Sequence, residues 1–92
     1  MKAQQKKQLR DFIGSLEEMK TKAEEFKDST DSIRDDVESA YDSKSERWQD
    51  SDAGDMEKQK VDSLNNLCSS FEAVIGELES SIEEIENLNT EE

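Results

Sequence analysis

A heptad pattern of apolar and small residues runs through the first half of the chain and constrains the fold more than any other feature. From Leu9 onward these residues recur at alternating steps of three and four. Both rows of the pattern fall on one side of an α-helix, as in a coiled coil. Because the chain contains no proline, the pattern predicts one continuous helix over about residues 3–42. The first row is Leu9, Leu16, Ala23, Thr30 and Val37, and the second row is Phe12, Met19, Phe26, Ile33 and Ala40.

The second half of the chain carries a similar pattern with a wider apolar stripe. Its two main rows are flanked by a third row, formed by Leu67, Val74 and Leu88 and interrupted at Ser81. We predict a second helix over about residues 52–89, with a stripe wider than one partner helix covers. The rows are Val61, Cys68, Ile75 and Ile82, and Leu64, Phe71, Leu78 and Ile85. The residues expected in the core or in an oligomer interface are Leu64, Leu67, Phe71, Val74, Ile75, Leu78, Ile82 and Ile85.

The segment between the two patterns, about residues 43–51, is rich in Asp and Ser, which favour turns and helix caps. Either Ser51 or Asp52 is suited to cap the second helix. Two helices of similar length with a short connection become antiparallel neighbours. The sequence therefore predicts an all-α, coiled-coil-like antiparallel helical hairpin, as one domain over residues 1–92. Self-association into a helical bundle, most simply of two hairpins, would cover the wide stripe.

The uneven distribution of charge agrees with this topology. Residues 1–10 contain only basic charges, whereas residues 61–92 contain nine acids and no base. An antiparallel hairpin brings these two segments to the same end, where opposite charges attract. The bases are Lys2, Lys6, Lys7 and Arg10, and the acids expected to face them are Glu83, Glu84, Glu86, Glu91 and Glu92.

The formal charge of −13, from 25 acidic and 12 basic side chains, restricts the classes of partner. Direct nucleic-acid binding requires a basic surface, and anionic membranes repel such a chain, so we expect neither. A protein with a basic surface is the expected partner. No apolar run approaches the length of a membrane span, and no apolar signal core follows the N-terminus. The single cysteine, Cys68, cannot form an internal disulfide, which fits a reducing compartment, so a cytoplasmic location is expected.

No residue pattern points to catalysis or to a resident cofactor. The chain contains no histidine, which is the usual acid–base group at neutral pH and a frequent metal ligand. Di-metal carboxylate bundles use Glu-x-x-His pairs, and these are absent. Asp50 to Asp55 resembles the start of an EF-hand loop, but Asp55 and Val61 stand where glycine and glutamate are required. We therefore expect no enzymatic activity, no metal and no cofactor, and Cys68 is interpreted as a packing residue.

The acids outside the apolar rows, and the aromatic residues near the segment that connects the two helices, each have two interpretations. The acids either form a solvated face or imitate the phosphates of a nucleic acid on a rigid helix. Trp48 lies outside both seams, with Tyr41 nearby, so it either folds back over the hairpin end or acts as an exposed anchor for a partner. The residues expected to bind a partner are Asp35, Asp36, Glu38, Tyr41, Asp42 and Trp48.

The segment Ser45-Glu-Arg-Trp48-Gln49-Asp-Ser51-Asp-Ala-Gly54 resembles a turn found in small acidic helical-hairpin proteins of phages and prophages. Those proteins share an aromatic-Gln-x-Ser-x-x-Gly turn before a Leu/Ile-rich second helix, and the similarity covers about residues 45–88. Most have no assigned activity, and the resemblance implies an inhibitor of host defence or of host enzymes. The chain also resembles secreted Trp-x-Gly hairpin proteins of type VII secretion in length and in its turn tryptophan. However, Asp50 stands in place of the glycine, and no Tyr-x-x-x-Asp/Glu export signal follows.

These features lead to one principal functional hypothesis and several alternatives. The principal hypothesis is a non-enzymatic phage or mobile-element inhibitor that binds a basic surface of a host defence or nucleic-acid-processing protein. The first alternative is a structural or assembly module that only forms helical bundles. A further alternative is a nucleotide-sequestering protein that uses the few bases near the turn, which are Lys44, Arg47, Lys58 and Lys60.

Overall fold

The computed structural model describes residues 1–90, which form two long antiparallel helices joined by a short one. Helix α1 spans Ala3–Asp42, α2 spans Glu46–Gln49 and α3 spans Asp52–Thr90. The described residues contain no strand, and the molecule measures 67 × 14 × 14 Å. The prediction of an all-α helical hairpin is confirmed.

The two long helices keep one register along their length. Side chains of α1 and α3 meet between Lys20 and Glu79, between Lys27 and Glu72, and between Arg34 and Asn65. In each pair the two residue numbers add up to 99. This constant value shows that the two helices are antiparallel. A residue of α1 and a residue of α3 whose numbers add up to 99 lie at the same height along the hairpin, which we call the same level. Residues 1–10 therefore lie at the same end as Glu83, Glu84 and Glu86, whereas Glu91 and Glu92 lie outside the described residues.

The contact between α1 and α3 is a thin seam with few fully buried side chains. Among the described residues the buried ones are Ala23 and Thr30 of α1 and Gly54 and Cys68 of α3. Small side chains at these points allow the helix axes to approach each other. The Thr30 hydroxyl is satisfied because its Oγ1 donates to the Phe26 carbonyl oxygen at 2.7 Å. On either side of these points, larger residues such as Leu16 and Phe71 are half-buried.

The two apolar rows of α1 do not share the seam equally. The first row faces α3, whereas Phe12, Met19, Phe26 and Ile33 of the second row remain 52–55% exposed. Lysine and arginine at heptad spacing occupy the other flank of the seam instead, half-buried at Lys20, Lys27 and Arg34. Their aliphatic stems cover apolar surface while their charged ends reach partners on α3. The second row therefore lies at the edge of the seam, where the rings of Phe26 and Phe71 contact with centroids 5.9 Å apart while Phe26 stays about half exposed.

Candidate binding surfaces

The hairpin tip is closed by an aromatic pair. The rings of Tyr41 and Trp48 contact edge to face, with centroids 6.2 Å apart. The Lys44 Nζ lies 5.5 Å from the centroid of the Trp48 ring, which suits a cation–π contact. Both aromatic side chains are half-buried. Trp48 therefore folds back over the end of α1 and leaves part of its surface exposed at the tip.

The other residues of the turn motif hold the helix ends together. Ser45 caps α2, because its Oγ accepts from the Trp48 N–H at 3.2 Å. The Gln49 Nε2 donates to the carbonyl oxygens of Tyr41 at 3.0 Å and Lys44 at 3.2 Å, which satisfies groups at the end of α1. Ser51 caps α3, because its Oγ accepts from the Gly54 N–H at 3.3 Å and donates to the Trp48 carbonyl.

Gly54 allows the closest backbone approach in this turn. It is buried in the first turn of α3, and a Cβ at this position would overlap the carbonyl oxygens of Trp48 and Gln49. The Trp48-Gln49-x-Ser51-x-x-Gly54 pattern thus has a complete structural explanation as a fastening between α1, α2 and α3. The sequence offered Ser51 and Asp52 as candidate caps, and the structure selects Ser51. The sequence gave no sign that Gln49 reaches back to α1 or that Gly54 contacts backbone atoms.

The acids expected to bind a partner lie on the last turns of α1. Asp35, Asp36, Glu38 and Asp42 are all exposed. Asp35 is partly neutralised, because its Oδ1 lies 3.1 Å from Nη2 of Arg34, and this contact raises the pKa of the guanidinium. The structure brings these acids to the same end of the hairpin as Tyr41 and Trp48.

One side of the hairpin exposes a continuous apolar surface, which we call the apolar face. It comprises the second row of α1 together with the third row of α3, whose members are 44–46% exposed. Met19 and Phe26 line one groove of this face with Phe71, Val74 and Leu78. Ile33 lines the next groove toward the tip with Met56 and Leu64. The residues of the apolar face are Phe12, Met19, Phe26 and Ile33 of α1, and Leu67, Val74 and Leu88 of α3.

The residues predicted for the core or an oligomer interface divide between these two environments. Six of them are half-buried against α1, and Leu67 and Val74 are exposed on the apolar face. The half-buried ones are Leu64, Phe71, Ile75, Leu78, Ile82 and Ile85.

The opposite side of the hairpin is polar and cross-linked by charge. Lys20 Nζ lies 3.2 Å from Glu79 Oε1, and Lys27 Nζ lies 3.4 Å from Glu72 Oε1. The hydrogen bond and charge of Glu72 raise the pKa of Lys27. These lysine–glutamate pairs between α1 and α3 were not predicted from the sequence. The sequence feature that could have predicted the pairs is that Glu72 and Glu79 are seven residues apart, as are Lys20 and Lys27.

Cys68 and Asp31 form a hydrogen bond across the seam that the sequence did not predict. The Cys68 Sγ donates to Asp31 Oδ1 at 3.0 Å, and Asp31 also lies 3.3 Å from Nη1 of Arg34. The thiol hydrogen bond lowers the pKa of the Asp31 carboxyl. The same bond, together with burial, raises the pKa of the Cys68 thiol from its ordinary value of 9.0. Cys68 is therefore a protonated, buried donor at neutral pH, with the low reactivity of a thiol.

We expect alkaline pH to destabilise the hairpin through this thiol. Since the folded pKa of Cys68 lies above the unfolded one, its contribution is complete below about pH 9 and is lost as the pH rises through the folded value. Thermal melts over about pH 8 to 10 should show the melting temperature falling. The decline should be shallower for Cys68→Ser, which keeps a donor for Asp31 but does not titrate in this range. Equal slopes for the two proteins would contradict this role.

The acidic segment that resembles the start of an EF-hand loop is part of a helix start in the structure. Over residues 1–90, no group of three or more His, Cys, Asp or Glu side chains is positioned to hold a metal ion. In the segment that resembles an EF-hand loop, Ser51 caps α3, and Asp52 and Asp55 lie in the first turn of that helix. Carboxylates near a helix N-terminus interact favourably with its dipole. Helix capping therefore accounts for this acidic cluster.

No protein-family model, curated protein or solved structure matches this chain. Within residues 1–90, neither long helix has a stretch apolar enough to cross a lipid bilayer.

Proposed function

We propose that the protein is a non-enzymatic phage or mobile-element inhibitor that binds a basic surface of a host defence or nucleic-acid-processing protein. The observation that carries this proposal is the group of exposed acids Asp35, Asp36, Glu38 and Asp42 at one end of a rigid helix. An anionic array held on a helix complements a surface that normally binds phosphates. The exposed parts of Tyr41 and Trp48 would add aromatic contact area at the same end. The proposed place of action is the cytoplasm, and that of the host if the chain is phage-encoded.

The proposed mechanism is steric and electrostatic competition with nucleic acid. The net charge of −13 would accelerate encounter with a basic partner and repel nucleic acid from the complex. Such binding should weaken when salt is added, because exposed charges more than about 10 Å apart are screened at roughly 0.1 M salt.

Neutralising the tip acids should reduce binding to such a partner by about tenfold or more. The test variant combines Asp36→Asn, Glu38→Gln and Asp42→Asn, and spares Asp35 because Arg34 already pairs with it. The matched control combines Asp11→Asn, Glu18→Gln and Glu25→Gln, which removes the same charge from exposed positions of α1 away from the tip. Immobilised wild-type protein and both variants would be incubated with bacterial lysate. A captured protein retained by the control and lost by the tip variant supports the proposal. Equal capture by all three, or none, argues against it.

The apolar face favours a second candidate function, that of a structural or assembly module. Large apolar side chains at heptad spacing on both helices are typical of surfaces that bind other helices. On this alternative the tip acids serve only solubility, so the tip variant keeps its biological activity. Replacing Val74 with aspartate abolishes the activity instead.

Self-association into a helical bundle is part of both proposals. We expect light scattering at micromolar concentration to give at least twice the 10.5 kDa mass of the chain. Val74→Asp, on the apolar face, should return the mass to that of the monomer, whereas Ala73→Asp, exposed on another side of α3, should not. Added salt should strengthen the assembly, because it screens repulsion between copies that each carry −13. A helical wild-type monomer at all salt concentrations would rule out self-association.

A further inference from the structure

The hairpin exposes more surface than a compact monomer of its mass, and its apolar face is about as large as one side of a standard dimer interface. The accessible surface is 6836 Å². A compact monomer of 10.5 kDa exposes about 5,400 Å². The seven side chains of the apolar face, each about half exposed, contribute on the order of 100 Å² apiece. That amounts to on the order of 700 Å² per copy, close to the roughly 800 Å² per partner of a standard interface.

Two symmetric arrangements place the apolar faces of two copies against each other. In one, the two-fold axis runs along the hairpin, so both tips lie at the same end and α1 of each copy faces α3 of the other. In the other, the axis runs across the hairpin, so the tips lie at opposite ends and each helix faces its own copy. Neighbouring helices are antiparallel in both cases, so charge and register must decide between them.

The net charges of the helices favour the arrangement with both tips at the same end. Within its bounds Asp52–Thr90, α3 carries ten acids and two bases, a net charge of −8, whereas α1, Ala3–Asp42, carries eleven acids and seven bases, a net charge of −4. The same-end arrangement places the more acidic helix against the less acidic one. The opposite-end arrangement places the two more acidic helices against each other, which is unfavourable.

The register of the two helices also favours the same-end arrangement, through one pair of charged residues. Lys22 follows the second row of α1 along the outer edge of the apolar face, and Glu77 has the corresponding position beside the third row of α3. Both are exposed, and their numbers also add up to 99, so they share a level of the hairpin. In the same-end arrangement, Lys22 of each copy therefore meets Glu77 of the other. In the opposite-end arrangement with the two apolar faces fully overlapped, Lys22 of one copy lies beside Lys22 of the other. Glu77 of one copy likewise lies beside Glu77 of the other.

The apolar side chains also match at nearly equal levels in the same-end arrangement. Phe26 of one copy lies within one residue of the level of Val74 of the other, and Ile33 within one residue of the level of Leu67, because each pair of numbers adds up to 100. Met19 lies within one residue of the level of Ser81, so a long side chain comes close to the small residue that interrupts the third row. Alternation of large and small residues across facing positions is favourable for packing.

We propose that the partner of the apolar face is a second copy of this chain, packed with both hairpin tips at the same end and with Lys22 of each copy beside Glu77 of the other. This inference rests on the proposed self-association and specifies its geometry. It places the tip acids and Trp48 of both copies at one end of the bundle. A partner with repeated basic sites would then bind two tips at once, with the gain in affinity that a second linked contact gives.

Spin-label distances between copies test the orientation directly. Ala53→Cys at the tip and Ala3→Cys at the open end would each be introduced at an exposed position in a Cys68→Ser background. Since helices are about 10–12 Å in diameter, the same-end arrangement should give distances below about 35 Å for each variant paired with itself. It should give distances near the 67 Å length of the hairpin when one variant is mixed with the other. The reverse pattern overturns the orientation and leaves self-association intact, whereas the absence of any coupling between copies overturns both.

Charge exchange provides the second measurement. Lys22→Glu and Glu77→Lys should each weaken self-association about tenfold, and the double variant should recover most of the wild-type affinity. Circular dichroism on all three variants checks that the hairpin remains helical. If the double variant is as weak as the single ones, the Lys22–Glu77 contact between copies does not exist.

Discussion

Replacing Gly54 with alanine should lower the free energy of unfolding by about 1–3 kcal/mol, the usual cost of an overpacked position. The added Cβ would overlap the carbonyl oxygens of Trp48 and Gln49, which are backbone atoms and cannot rotate away. Relief requires α2 to move from α3, which strains the hydrogen bonds of Ser51 with Trp48 and Gly54. Chemical denaturation followed by circular dichroism measures the change.

Gly76→Ala is the matched control for this prediction. Gly76 lies within α3, and a Cβ there would meet no atom within 4 Å. Alanine has the higher helix propensity, so this variant should be more stable than wild type by about 0.5–1 kcal/mol. The same chemical change therefore has opposite signs at the two positions. A Gly54→Ala protein as stable as wild type would show that the turn does not hold the backbone contact described here.

Replacing Ile75 with aspartate should largely unfold the protein. Ile75 is half-buried and lines a groove with Glu24, Lys27, Asp28 and Glu72. The substitution removes a packed apolar side chain and adds a negative charge beside three acids and a single base. The combined cost is about 3 kcal/mol or more, a large fraction of the roughly 5–15 kcal/mol that stabilises a typical domain. Loss of the helical signal in far-ultraviolet circular dichroism at room temperature is the expected result.

Ala73→Asp separates this effect from that of added charge. Ala73 is exposed on the same helix, and the substitution makes the same change in net charge. It should alter stability by no more than about 0.5 kcal/mol, as surface substitutions usually do. If Ile75→Asp and Ala73→Asp melted at the same temperature, the seam between α1 and α3 would not be the main source of stability.

The sequence determined the local structure and the class of fold. Heptad spacing without proline determines two long helices, because apolar residues on one side of a helix must be covered. The segment rich in Asp and Ser between them determines where the chain turns, since these side chains compete for backbone groups. Ser51 was recognisable in advance as one of two candidate caps of α3, with Asp52 the other, because capping depends on residues a few positions apart. A short connection then makes the helices antiparallel.

The part of the candidate site that depends on long-range contacts could not be predicted in the same way. The heptad pattern marks Phe26 and Ala23 as equal members of one seam, yet Ala23 is buried and Phe26 is exposed. That difference follows from the rotation of α1 about its own axis, which turns the first row toward α3 and brings Lys27 within reach of Glu72. The hydrogen bond between Cys68 and Asp31 joins residues 37 positions apart. Gln49 likewise reaches back to Tyr41 only after the turn has formed.

The sequence by itself therefore determined the helices, their antiparallel order and the acidic character of the molecule. Only the tertiary structure decided which apolar row α3 covers and which row remains exposed as the apolar face. The physical reason is that a heptad pattern identifies the apolar side of a helix. It does not determine which of the two rows on that side faces the neighbouring helix. The final rotation depends on a balance between apolar burial and cross-helix ion pairs. Those pairs form between residues that are distant in the chain and share only a level in the hairpin.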